Sequence, residues 1–125
     1  MKIELKIFFT GLLLLFTIIS GIWLSNSGRP FNALIFNIHK FAAIASVVFA
    51  VITIRNLLMN TVHIKSIILI LIVVSALSIV VLFATGGLLS AVKSANSIIL
   101  AVHAVTPILT VITIAAAVYL LVTGK

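Results

Sequence analysis

The run from Ile98 to Leu121 constrains this chain more than any other stretch. It is a long apolar segment with one histidine, His103, near its start. An ionisable ring inside a hydrocarbon-spanning helix is costly and needs a partner and a reason. A second run, Ala33 to Ile54, also carries one histidine near its start, His39. Whatever fold the chain adopts must accommodate both rings.

Composition sets the solvent. The 125 residues are 64% hydrophobic and 7% charged, whereas a soluble domain is about 25% charged. A globule of this size cannot hide that much apolar surface, so the chain reads as a membrane protein. It has no cysteine, which excludes disulfides, thiolate zinc sites, iron–sulfur clusters and covalent haem attachment through cysteine. Glu4 is the only acidic side chain. Paired-acid catalysis and carboxylate-rich metal sites therefore have no residues to work with. No Gly-rich phosphate loop and no plausible Ser/His/Asp set appears. The net charge of +7 comes from a few basic residues flanking apolar runs. Membrane topology and lipid headgroups explain that pattern better than nucleic acid does.

The periodicity predicts four helices, over residues 7–25, 31–54, 66–84 and 97–122, in one membrane domain. Each approaches or exceeds the roughly 20 residues that cross a bilayer core. The first run resembles a signal peptide in its basic start, but it is longer than a usual h-region and no clear cleavage site follows, so a retained helix is expected. Ser25 to Asn32 is a loop by its Ser, Asn, Gly and Pro content. Arg55, Asn60, His63 and Lys65 mark a second loop. Thr85, Gly86 and Gly87 are expected to end or loosen the third helix. Leu88 to Ser97 then serves as a half-polar connection. Short loops make sequential helices antiparallel neighbours, which gives an all-α, up-down-up-down transmembrane four-helix bundle. No internal repeat stands out beyond the histidine near the entry of helices two and four.

Orientation follows from the basic residues. Lys2, Lys6, Arg55, Lys65 and Lys125 fall on one side and Arg29, Lys40 and Lys93 on the other. This bias places both termini in the cytoplasm. His39 and His103 then lie on helices running in the same direction, each on the order of 8–12 Å from the same membrane face. Two inward imidazoles at one depth are suited to opposite sides of one haem iron. Small residues near that end would give a flat macrocycle room: Ser20, Gly21, Ala42, Ala43, Gly86 and Gly87. Arg29, Lys40 and Lys93 share that side and are candidate partners for haem propionates. Pro107, one turn after His103, frees a helix carbonyl. Thr106 or Thr110 is expected to meet it or to orient a ring nitrogen, and Asn32, Asn37 and Asn96 to give a polar approach to the haem edge.

Blander readings exist for each residue. A histidine near a helix end is often interfacial, and Lys40 can snorkel to headgroups. His63 lies in a loop with Arg55 and Lys65, and Met59 reads as packing, so a second haem lacks ligands. Zinc or copper at His39 and His103 would have an incomplete donor set.

Three stretches, FNIHKFAAIASVVFAVITI, ATGGLLSAV and ILAVHAVTPILTVITIAAAVYLL, resemble the small four-helix membrane cytochromes b related in layout to the cytochrome b561 proteins. The likeness covers helices two to four. It implies one haem b held between helices, with His39 and His103 as ligands, and electron exchange with a quinone or a redox protein. Members with two haems carry four histidine ligands; this chain supplies one pair. The alternative reading is a non-catalytic small subunit that packs through Ala115, Ala116 and Ala117 against a larger complex or another copy of itself. A transporter or channel fits less well, because no charged pathway crosses the midplane.

Overall fold

The computed structural model describes residues 1–94 and 96–124. Lys125, counted above among the basic residues, lies outside them. Among the described residues the chain is all-α, with four helices: α1 (Ile3–Asn26), α2 (Ala33–Met59), α3 (Ser66–Ala91) and α4 (Ser97–Thr123). All four are long and apolar enough to cross a membrane. This is the all-α, membrane-integral class that the composition dictates. Lipid offers no partner for a peptide group, so each segment satisfies its own backbone as a helix.

The chain divides into two compact units, residues Met1–Asn60 and Thr61–Lys125. The first is the α1–α2 hairpin and the second the α3–α4 hairpin. Each is antiparallel, as its cross-helix bonds require. In the first, Thr10 meets Thr53, Thr17 meets Ser46 and Ser20 meets His39, one number rising while the other falls. In the second, Ser75 meets Thr113 and Thr85 meets His103.

Three helices are longer than the sequence predicts. α1 begins at Ile3, with Glu4 in its first turn, where a carboxylate suits the positive end of the helix dipole. α2 runs through Arg55 to Met59. A single exposed arginine does not stop a helix whose buried side continues through Leu57. The largest departure is α3. It passes through Thr85, Gly86 and Gly87 and ends at Ala91, so these residues are neither a terminus nor a connection. Glycine costs a helix about 1 kcal/mol relative to alanine, and at Gly86 a close approach explains its presence (below).

Both second helices start in the same way. Asn32 Oδ1 accepts from the N–H groups of Leu34 and Ile35, and Asn96 Oδ1 accepts from those of Ile98 and Ile99. These are N-caps. Asn32 and Asn96 are therefore engaged in starting helices. α4 ends on Gly124 at φ 67°, a left-handed cap that favours glycine.

The buried seams are narrow and built from small and hydroxylated residues. Ser20, Ser46 and Thr53 are almost fully covered, with Ala42 and Ala50 between them. Ser75, Ser78, Thr110, Thr113 and Ala117 do the same in the second hairpin. Small side chains let backbones approach, which is the main source of helix association where the solvent is as apolar as leucine. Each hydroxyl also bonds a carbonyl of its own helix: Thr10 to Lys6, Thr17 to Leu13, Ser46 to Ala42, Ser75 to Leu71 and Thr113 to Leu109. No buried side-chain polar atom among the described residues lacks a partner. Of the three alanines considered as an external face, Ala117 is fully buried within its own hairpin and Ala115 is exposed.

The hairpins repeat each other, contrary to the sequence-based expectation. Ser20-Gly21-Ile22-Trp23-Leu24-Ser25 in α1 corresponds to Thr85-Gly86-Gly87-Leu88-Leu89-Ser90 in α3. Thr10 corresponds to Ser75 on the same seam. In the second helices Asn32, His39, Ser46, Ala50, Thr53 and Leu57 correspond in order to Asn96, His103, Thr110, Ile114, Ala117 and Leu121. The repeat lives in caps and buried positions. Lipid-facing positions only need to be apolar, so they differ between the hairpins and dilute the pattern.

Candidate functional site

Each hairpin seats one imidazole against a glycine of its first helix. His39 is the seventh residue after the Asn32 cap, and His103 the seventh after the Asn96 cap. At 1.5 Å per residue each ring lies about 10 Å into its own helix. A Cβ built on Gly21 would stand 2.9 Å from Cε1 of His39 and 3.3 Å from its Nδ1. A Cβ built on Gly86 would stand 3.1 Å from Cε1 of His103. Both rings thus occupy space that any other residue would fill. Gly87 and Gly11 have nothing within 4 Å of such a Cβ, so closeness to histidine is particular to Gly21 and Gly86. The sequence reading gave these two glycines to a macrocycle; the rings themselves fill them.

The hydroxyl beside each glycine meets the ring nitrogen. Ser20 Oγ lies 3.1 Å from His39 Nδ1, and the Thr17 carbonyl oxygen lies 3.0 Å from the same atom. Thr85 Oγ1 lies 2.8 Å from His103 Nδ1. A carbonyl can only accept, so Nδ1 of His39 carries a proton and donates it. Ser20 gives its own hydroxyl proton to the Thr17 carbonyl at 3.0 Å, which leaves its oxygen to accept from the ring. Thr85 Oγ1 also lies 2.7 Å from the Val81 carbonyl oxygen, and its contact with His103 Nδ1 is open to donation from either side. The carbonyl contact assigns His39 the Nδ1–H tautomer, in which Nε2 carries the lone pair.

The residues expected to orient His103 are occupied elsewhere. Thr106 donates to the Val102 carbonyl at 2.6 Å and Thr110 to the Thr106 carbonyl at 3.0 Å. Thr85, on the neighbouring helix, does that work. Pro107 lies inside α4 without ending it. It lacks the N–H that would otherwise bond the His103 carbonyl.

The basic residues lie at the loop ends of the hairpins. The Arg29 guanidinium carbon is 4.5 Å from the Phe31 ring centroid, and Phe31 stacks on Phe36 at 6.3 Å and 9°. This cluster sits in the α1–α2 turn, the end of the hairpin from which His39 is counted. Lys40 is exposed on α2, and Lys93 is exposed in the α3–α4 turn, at the end from which His103 is counted. His63 is exposed in the segment between the hairpins, and Met59 is exposed at the end of α2.

Among the described residues no group of three or more His, Cys, Asp or Glu could hold a metal ion. Two imidazoles do not complete the shell of a bare zinc or copper ion.

Ser20, Thr85 and the Thr17 carbonyl were not legible as site groups in the sequence. The available signal was a Ser/Thr-Gly pair standing 18 or 19 residues before each histidine. No protein-family model, curated protein or solved structure matches the chain.

Proposed function

We propose that the chain is a membrane b-type cytochrome that binds one haem b, with His39 and His103 as its axial ligands, and carries single electrons. The observation that carries this reading is the pair of matched imidazole seats. Each hairpin holds one ring by a hydrogen bond at Nδ1, at the same depth past its cap and against a glycine. A haem supplies four equatorial nitrogens and one-electron chemistry, so the two imidazoles make a complete set of six donors.

The chain's own tasks are then definable. Nε2 of each ring is the ligating atom. Ser20, the Thr17 carbonyl and Thr85 hold the opposite nitrogen and keep the ring from turning. The apolar helices supply a low dielectric. Arg29, Lys40 and Lys93, at the loop ends nearest the two histidines, are the cations available to propionates. Lys2, Lys6, Arg55 and Lys65 flank the other ends, a bias that supports both termini in the cytoplasm and the haem towards the outer leaflet. The electron partner on this reading is a membrane quinone or a redox protein on the extracytoplasmic side.

The test is optical and magnetic. The purified protein should show sharp, separate α and β bands on reduction and a low-spin ferric signal when oxidised. His39→Ala and His103→Ala should each abolish the low-spin signal. A colourless protein that folds unchanged after both substitutions would instead identify a non-catalytic membrane subunit.

A further inference from the structure

The internal repeat sets an expectation for the outward positions, and one pair of residues departs from it. One face of α2, turned away from its own hairpin, carries Asn37, Lys40, Ile44 and Val48, all exposed. Their helical spacing makes them one stripe. In α4 the positions that correspond to Asn37 and Lys40, counted from the shared cap and histidine, are Ala101 and Ala104, also exposed. The second hairpin therefore shows that the fold needs nothing polar there. A charged side chain in a membrane-spanning helix is costly, and such residues ordinarily face the protein interior or pair. Lys40 faces outward. The chain's only carboxylate side chain, Glu4, is at the other end of the hairpin. It lies about 24 Å along α1 from Ser20, the residue that meets His39. No side chain of the protein can supply the counter-charge of Lys40.

The surroundings of Lys40 indicate what does supply it. Long side chains on a helix lean towards its N-terminus, so Lys40, about 12 Å past the Asn32 cap, reaches back towards the loop end. Phe36, one turn closer to the loop, stacks on Phe31, and the Arg29 guanidinium lies over Phe31. Arg29 and Lys40 therefore converge on one aromatic pair, one from the loop and one from the helix. Asn37 adds an exposed amide on the same stripe. Away from the loop the stripe is apolar, through Ile44 and Val48. Cations at one end of an apolar strip match an amphiphile with an anionic head. We infer that this face binds one anionic phospholipid, its phosphate held by Arg29, Lys40 and the Asn37 amide, with an acyl chain along Ile44 and Val48. A zwitterionic lipid brings an ammonium that the two cations repel, so a net-negative headgroup is preferred. The connection from Ser27 to Asn32 is too short to offer the roughly 800 Å² that a protein partner covers. The inference stands apart from the haem reading; where both hold, Lys93 is the cation left to a propionate.

The experiment is native mass spectrometry of the full-length protein released from nanodiscs of equimolar phosphatidylglycerol and phosphatidylcholine, without haem and then with haem added. The unsubstituted protein should retain one phosphatidylglycerol more per chain than Lys40→Ala does, favoured about five-fold over phosphatidylcholine. Lys40→Arg should keep that lipid. Arg29→Gln and Asn37→Ala should each weaken its retention. Asn37→Ala combined with Lys40→Ala copies the pair already present in α4, so the fold should stand, which helical circular dichroism checks. Lys6→Gln, at the far end of the hairpin, should leave the lipid in place. Excess inorganic phosphate should not displace it, because a free ion makes no contact with Ile44 and Val48.

Equal retention of the two lipids by the unsubstituted protein would overturn the inference, and that measurement needs no variant to fold. The same phosphatidylglycerol count in Lys40→Ala would also overturn it, leaving Lys40 to reach the bulk headgroups. Displacement by inorganic phosphate would overturn it in favour of a free-anion site. Loss of one lipid for each haem bound would overturn it and give Arg29 and Lys40 to the propionates. A retained lipid on a protein that takes up no haem would uphold the inference and remove the haem reading.

Discussion

At the scale of single residues, the glycines are the sharpest constraint. Two of the six, Gly21 and Gly86, touch histidine rings, and the distances rank them. A methyl at Gly21 meets His39 at 2.9 Å, closer than real contacts allow; at Gly86 it meets His103 at 3.1 Å, where a small shift suffices. Gly21→Ala should therefore displace its ring and lower haem retention more than Gly86→Ala, with an overpacking cost of about 1–3 kcal/mol. Haem content after purification, together with the thermal midpoint in detergent, measures both. Gly87→Ala has open space in a helical position, so it should stabilise by up to about 1 kcal/mol and leave haem content unchanged. Equal losses at positions 86 and 87 would show that helix propensity matters there and ring contact does not. The histidines themselves were legible in the sequence because an imidazole stands out in an apolar run. Their partners were not, because each lies on the preceding helix at a distance that no local periodicity encodes.

At the scale of helices, the lesson concerns termini. Arg55 and the Thr85-Gly86-Gly87 stretch look like punctuation, yet α2 and α3 run through both. In an apolar medium the alternative to a helical hydrogen bond is an unmade one, so weak breakers lose. The caps, by contrast, follow ordinary chemistry. Asn32→Ala and Asn96→Ala should each cost about 1 kcal/mol, seen as faster hydrogen exchange at the amides of Leu34, Ile35, Ile98 and Ile99. Exchange unchanged at those amides would mean that the side-chain bonds contribute nothing. Along the first seam, Thr10 and Thr53 share a 2.9 Å hydroxyl–hydroxyl bond. Thr53→Val removes one partner of it at a fully buried position. In lipid such a bond is worth about 0.6 kcal/mol on average and up to about 1.7. A larger loss on denaturant titration would indicate a packing defect in addition.

At the scale of the whole molecule, composition alone settled the class. A chain with 7% charged residues and long apolar runs has no stable option but helices in a membrane. The repeat was hidden because outward positions need only be apolar, whereas seam positions must fit their neighbours. Only once the seams are known do Ser20 and Thr85, Gly21 and Gly86, Asn32 and Asn96, and His39 and His103 fall into pairs. On the proposed haem reading, the one imidazole seat in each hairpin supplies one of the two axial ligands. The most direct test is the ratio of haem to chain in protein purified from haem-replete cells. The account predicts about one haem per chain, falling towards zero when either His39 or His103 is replaced by alanine. A folded chain that carries no haem, or one whose haem survives both replacements, would contradict it.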